Sequence, residues 1–257
     1  MQSLQFTTVM PESLKQAVKR QIQKRVDHRY KSVRIALRNL WGEIRIAGMA
    51  RKSERSFRSL QDGKELNVHL GCGSDVRPGW INLDLALGRM APKVDATTQP
   101  GTMFINYDLR LGLPLAANSC ALIYSSHFFE HLEYADGVRL MRDCYAALRP
   151  DGVFRIALPD LRALFDAYLR EDYAYLELLD IAKLRPDVEP GTESTVDYVN
   201  YGVYQYGEHK CIHDEAKLTL VLQKIGYSTV SVSSYQDKSD PDSPLRRRYS
   251  FYMEATK

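Results

Sequence analysis

The stretch LNVHLGCGSD, residues 66–75, limits what this chain can fold into more than any other. An apolar run of strand length ending in Gly71, Cys72 and Gly73 reads as a buried parallel strand feeding a tight turn, because glycine adopts positive φ and lets a ligand approach the backbone closely. Three further strand-length runs follow in order. INLDL (81–85) carries Asp84 near its C-terminal end, MFINYDL (103–109) carries Asp108 in the same place, and CALIYSS (120–126) ends in Ser125 and Ser126 just before His127. Strand ends in an open parallel sheet collect at one edge, so the glycine turn, Asp84, Asp108 and residues 125–127 are expected to face one crevice.

The fourth run leads into HFFEHL (127–132), which has two readings. His-x-x-Glu-His is the inverted zincin spacing, with two imidazoles on one helix face and a carboxylate beside them. The same letters can instead open a helix over 128–141 at the ligand edge of a nucleotide-binding sheet. Zinc would need a further downstream ligand, and none stands out in the sequence, so no metal is expected.

The alternation of strand and helix continues. RPDGVFRIALPDL (149–161) is a Pro-Asp-Gly turn into a fifth strand. Asp214 can cap a helix running to Ile225, Gly226 can end it, and STVSVSS and YSFYMEAT supply two closing strands.

Charge separates the chain into two parts. Residues 1–65 hold 15 Lys and Arg against 6 Asp and Glu, and residues 66–257 hold 20 against 26, a balance of +9 and −6. In the basic part Leu14, Val18, Ile22, Val26, Tyr30, Val33, Leu37, Trp41 and Ile44 fall three or four apart, tracing one apolar stripe along a helix with Lys and Arg on its other faces. Such an arm can pack on the body or on a second copy of the chain, or lie on an anionic membrane surface through residues 12–48. Nucleic acid is not the expected partner, because the aromatic residues lie on the apolar stripe and no recognition module is present. The polar stretch 51–65 has the composition of a linker. At 257 residues and 44% apolar the chain can build one large core, and the four cysteines lack metal or disulfide spacing. With no apolar run of membrane-spanning length and no secretory pattern at the N-terminus, the expected location is cytoplasmic, peripheral to the inner face of the membrane if the arm binds lipid.

The blocks VHLGCGSDVRPGWINLDL, LPLAANSCALIYSSHFFEHL, ALRPDGVFRIALPDL and LVLQKIGYSTVSVSS, taken together, resemble class I S-adenosylmethionine-dependent methyltransferases with the Methyltransf_11 type of core, over residues 66–257. The resemblance implies a Rossmann-like α/β fold, a seven-stranded, mostly parallel sheet with helices on both faces, preceded here by the basic amphipathic helix. It divides the chain into an arm and linker, 1–62, and a methyltransferase domain, 63–257, in which 160–212 forms the acceptor pocket or lid. It implies S-adenosyl-L-methionine as cofactor, with Gly71, Cys72 and Gly73 at its methionine end, Asp84 on the ribose diol, Asp108 and Leu109 flanking adenine, and Ser125 at the cavity edge. Where the family commonly has an acidic residue near the cofactor's amino group, this chain has His69. Only seven residues separate Gly73 from Ile81, short for a parallel crossover that normally takes a dozen or more.

If the acceptor is a hydroxyl, transfer needs a general base, and His209, His213 and His127 are the candidates because imidazole titrates near neutral pH. Seven tyrosines between 168 and 206, with Asp160 after the fifth strand, suit an amphipathic acceptor such as a sugar. The expected activity is O-methylation of a sugar or related small hydroxylated acceptor in a surface glycan or glycosylated metabolite. The alternatives are an RNA methyltransferase using the basic arm and a protein of the same fold that binds the cofactor without transferring a methyl group.

Overall fold

A computed structural model describes residues 65–86, 100–179, 192, 194–236 and 239–257, together with 30, 33, 36, 37, 40–44, 46, 48, 53, 56, 57 and 60. The chain forms two compact units, 1–49 and 50–257. In the first, Val33, Ala36, Leu37, residues 40–44, Ile46 and Gly48 are helical, and Val33, Leu37, Trp41 and Ile44 of the expected stripe are exposed. The remainder of that stripe, Leu14 to Val26, lies outside the described residues, as do the basic positions between 15 and 25.

The second unit is built on seven strands: β1 Leu66–Leu70, β2 Ile81–Asp84, β3 Met103–Asn106, β4 Cys120–Ser126, β5 Leu148–Pro159, β6 Thr229–Ser233 and β7 Ser250–Thr256. They lie in the order β3-β2-β1-β4-β5-β7-β6. The first five are parallel and β7 runs antiparallel to both its neighbours. Chain direction along the sheet reverses between β1 and β4, so the C-terminal ends of these two strands flank the switch point where ligands bind in such sheets.

Six helices are described: α1 Tyr134–Ala147, α2 Leu161–Leu169, α3 Tyr173–Leu176, α4 Thr195–Tyr204, α5 Glu215–Ile225 and α6 Pro244–Arg248. Asp214 caps α5 through the Lys217 amide and Gly226 ends it at φ 121°, as the sequence predicts. Leu70, Leu83, Ile123, Phe129, Leu140, Met141, Phe154 and Leu158 sit in one core, each at most 1% exposed. A smaller cluster joins α2, α3 and α4 through Leu164, Leu176, Tyr201 and Tyr249.

The short first crossover is resolved by the loss of its helix, and two other local features depart from expectation. The β1–β2 crossover is made by residues 71–80 without a helix, and β2 still begins at Ile81, in register with Val68. The span 128–141 is not one helix: a 3-10 turn, Phe129–His131, is followed by an extended Leu132, and α1 starts only at Tyr134. His127 before it has φ 50°, a left-handed conformation that an imidazole side chain adopts at a cost of about 1–2 kcal/mol. Finally, Phe57 in the stretch expected to be a polar linker is buried at 3% and packs edge-on against Tyr107, with ring centroids 5.0 Å apart.

Candidate active site

The glycine turn is fixed from both sides. Gly71 and Gly73 have φ of 63° and 52°. Cys72 N–H donates to Leu83 O at 3.1 Å, and Gly73 N–H donates to Asp84 Oδ2 at 2.6 Å, so the turn is tied to the end of β2. At Gly71 a Cβ would fall inside the Phe128 ring, so only glycine lets backbone and aromatic ring meet there. These groups line a cavity of about 540 Å³ at the C-terminal ends of β1 and β4, walled by His69, Asp84, Ser126, His127, His131 and Arg246. Ligand pockets for small molecules are roughly 300–1,000 Å³, so the cavity can hold a nucleoside-sized group. A second cavity of about 530 Å³, lined by Trp80, Tyr124, Arg155 and Glu254 among others, contains neither the glycine turn nor Asp84. Position at the switch point therefore selects the first.

Burial sets the charge states. His69 is 2% exposed, and burial with the nearby Arg77 guanidinium lowers its pKa to about 3, so it is a neutral imidazole. Its Nδ1 has no hydrogen-bond partner among the described residues. Burial and the Asp84 and Asp75 carboxylates push the Cys72 thiol up to about 12, which keeps it protonated. His127 is pushed well below its ordinary pKa by burial and by Arg246. Its Nε2 meets Ser250 Oγ at 2.7 Å, and its Nδ1 stands 3.6 Å from Glu130 Oε1. Burial raises the Glu130 carboxyl to about 8.

The sequence-predicted residues divide into two groups. His69, Gly71, Cys72, Gly73, Asp84 and His127 come together in the cavity wall. Asp108, Leu109 and Ser125 do not line it. Asp108 caps the turn Leu109–Leu111 and is held by the Arg110 guanidinium at 2.8 Å; Leu109 is a core residue; Ser125 is fully buried and its hydroxyl donates to Leu70 O at 3.2 Å. Ser126, one residue on, reaches the cavity instead because alternate residues of a strand point to opposite faces.

The histidines of the 208–213 loop also separate. Lys210 and Cys211 N–H groups donate to Glu130 O at 2.7 and 3.2 Å, which docks the loop on the turn after β4. His209 thereby lies edge-on to His131 with centroids 5.0 Å apart, its pKa lowered to about 4 by burial and by that neighbour. His213 is buried away from the cavity wall and is likewise lowered to about 4 by burial, with Lys217 adding to it. Tyr175, Tyr198 and Tyr201 belong to the smaller core cluster, whereas Tyr173, Tyr204 and Tyr206 are exposed. Asp160 caps α2 through the Ala163 amide. Part of the segment 160–212, residues 180–191 and 193, lies outside the described residues.

Arg246 and Phe128 in the wall were not singled out in the sequence. Arg246 is the only Arg or Lys among the described lining residues and arrives from α6, more than a hundred residues after the other motifs. Phe128 was legible only as a helix residue, whereas His131 was legible as the second imidazole of HFFEHL at the ligand edge.

Residues 69–156 match the family described as Methyltransferase domain, Methyltransf_11. That span contains the glycine turn, Asp84 and the turn after β4, and it sits in the seven-stranded, mostly parallel sheet that the family resemblance implies. The chain carries a class I S-adenosylmethionine-dependent methyltransferase domain. Among solved structures, the methyltransferase is similar to a SAM-dependent methyltransferase from Archaeoglobus fulgidus, at 15% identity and a TM-score of 0.43 over 84% of this chain and 94% of that one. It is also similar to a possible histamine N-methyltransferase from Thermotoga maritima, at 12% identity and 0.45 over 91% and 99%. A third is phosphoethanolamine N-methyltransferase 2 of Haemonchus contortus in complex with S-adenosyl-L-methionine, at 13% and 0.42 over 80% and 52%. No curated protein matches. The assignment rests on the family match and the sheet order, not on these distant shapes.

The cavity fits the cofactor on its own chemistry. Space is open at Gly73, and among the described residues Asp84 is engaged there through Oδ2 by the Gly73 amide. When bound, that cofactor supplies an electrophilic methyl group on a positively charged sulfur.

Proposed function

We propose that the methyltransferase transfers the methyl group to a hydroxyl of a sugar or related small acceptor. The observation that carries this reading is the imidazole edge of the cavity, where His127 and His131 stand in the wall and His209 packs behind His131. Burial holds all three below the ordinary histidine pKa, so each is neutral at pH 7. Neutral imidazoles offer a lone pair to a hydroxyl proton and no charge that would repel a sulfonium. In transfer the acceptor oxygen forms the new C–O bond, the S–C bond breaks with its pair going to sulfur, and the hydroxyl proton leaves to an imidazole or to water. His69, also neutral and with Nδ1 unpartnered among the described residues, is assigned to the cofactor's ammonium in place of the family's usual acidic residue. Asp84 is assigned to the ribose diol, since an ionised carboxylate can accept from both hydroxyls at once. Arg246 is placed to hold the cofactor's carboxylate or an anionic group of the acceptor.

The basic arm supports a lipid-linked or membrane-apposed acceptor. Its exposed Val33, Leu37, Trp41 and Ile44, with the +9 balance of residues 1–65, provide both apolar burial and charge attraction for an anionic surface. Among the described residues no helix is long and apolar enough to cross a membrane.

One assay tests both parts. Labelled methyl transfer is measured on nucleotide sugars, free glycosides and polyprenyl-linked sugars, with anionic or neutral vesicles present. The expected outcome is base-stable methyl ether formation on a sugar, faster with the lipid-linked acceptor on anionic vesicles. His209→Ala should lower turnover at least tenfold and His213→Ala less than threefold. Methylation at nitrogen, or of RNA only, would remove the O-methyl reading.

A further inference from the structure

The turn after β4 and the 208–211 loop bring three metal-ligating side chains to one point. One ligand atom each from Glu130, His131 and His209 lies within 4.8 Å of the other two. Tetrahedral zinc with ligands at about 2.0–2.1 Å holds them roughly 3.3 Å apart, so the set closes on an ion by side-chain movements of about 1 Å. The two segments are already pinned together by the Lys210 and Cys211 amides on Glu130 O, which leaves only those side chains to adjust.

The tautomers are fixed in the form a metal requires. His209 Nδ1 lies 2.9 Å from Gly202 O, and His131 Nδ1 lies 3.3 Å from Glu208 O. A carbonyl oxygen only accepts, so each Nδ1 must carry the hydrogen and each Nε2 is left with its lone pair. Backbone carbonyls that orient imidazoles through the far nitrogen are the usual outer shell of a metal-binding histidine. Glu130 gives the second, independent observation. The residue is 3% exposed, and neither carboxylate oxygen has a hydrogen-bond partner among the described residues. His127 Nδ1, at 3.6 Å from Oε1, stands beyond hydrogen-bond reach. A carboxyl buried in this way stays neutral until a cation takes the place of its proton.

We propose that Glu130, His131 and His209 bind one divalent first-row metal ion, zinc being the best match to two imidazoles and a carboxylate, at the edge of the cofactor cavity. Three protein ligands are the number found in catalytic zinc sites, which keep a further position for water or substrate. His131 belongs both to this set and to the cavity wall, so the site adjoins the cavity. The site stands independently of the O-methyl reading; its use rests on it. An acceptor hydroxyl ligated there loses its proton to water at a lower pH than in solution. Its oxygen pair then forms the C–O bond as the S–C pair goes to sulfur.

The test uses the full chain, stripped with a chelator and dialysed, then titrated with Zn²⁺ and separately with Co²⁺. Expected are one zinc per chain by elemental mass spectrometry and cobalt d–d absorption bands that zinc abolishes. Glu130→Gln and His209→Ala should each weaken zinc at least 100-fold while thermal melting and S-adenosylhomocysteine binding show a folded chain. His213→Ala should keep one equivalent. No stoichiometric zinc in a chain that binds S-adenosylhomocysteine would overturn the metal site, as would full zinc binding by both ligand variants. Zinc binding with those losses but no nucleoside binding would uphold the site and remove the cofactor reading instead.

Discussion

Gly71 decides at the scale of one carbon atom whether the cofactor cavity exists. Its φ of 63° disfavours any other residue, and the added Cβ would have to displace the Phe128 ring. Gly71→Ala is therefore expected to cost about 1–2 kcal/mol from the backbone alone and more from the collision. Calorimetry should show at least a tenfold loss of S-adenosylhomocysteine affinity, with part of it returned by adding Phe128→Ala. The buried histidines give a second expectation, and its sign follows from their direction of shift. Folding lowers His69 from 6.5 to about 3 and His213 from 6.5 to about 4, so the unfolded chain binds more protons between those values. Their contribution to stability is complete above pH 6.5 and declines as pH falls toward 3–4, at up to about 1.4 kcal/mol per pH unit for each group. Denaturant unfolding across that range should therefore be less steeply pH-dependent in His213→Gln than in the parent chain. At this scale the glycine turn and Asp84 were legible, because each is a local rule about one backbone angle or one strand end. The set of Glu130, His131 and His209 was not. Its third member lies 78 positions downstream, and the docking of its loop is made by backbone amides on Glu130 O, which leave no trace in side-chain identity.

Between elements, the antiparallel end of the sheet is tied by one cation. Arg155 on β5 is 3% exposed and reaches Asp240 at 2.5 Å, Glu254 on β7 at 2.6 Å, Ser233 on β6 at 3.0 Å and Ser234 O at 2.8 Å. Removing a partner from a buried pair strands the remaining charge, which typically costs 3–5 kcal/mol. Asp240→Ala should accordingly lower the unfolding free energy by about that amount, whereas Arg155→Met with Asp240→Leu should recover most of it; a loss below 1 kcal/mol in the single variant would contradict the pairing. All seven strands were legible, and β1 and β4 read as apolar runs because most of their residues are buried. The sequence 128–141 reads as one helix, but residues Phe129–His131 form a separate 3-10 turn. What interrupts it is the left-handed His127 and the extended Leu132, neither marked by glycine or proline. Phe57 shows the same limit from the other side: one aromatic residue in a polar stretch was enough to anchor it in the core.

For the molecule as a whole, the sheet order and the match over residues 69–156 place the chemistry at the C-terminal edge of β1 and β4, while the acidic body and basic arm divide charge between two units. The family resemblance anticipated the topology and the cofactor. It did not anticipate Arg246 entering the cavity from α6, whereas the shortened β1–β2 crossover was legible in the seven residues between Gly73 and Ile81. The most direct measurement is calorimetric titration of the full chain with S-adenosylhomocysteine and S-adenosylmethionine, with Asp84→Ala alongside. One micromolar site per chain, weakened at least tenfold by the substitution, is the predicted result. No binding by the folded parent chain, or binding indifferent to Asp84, would contradict the account.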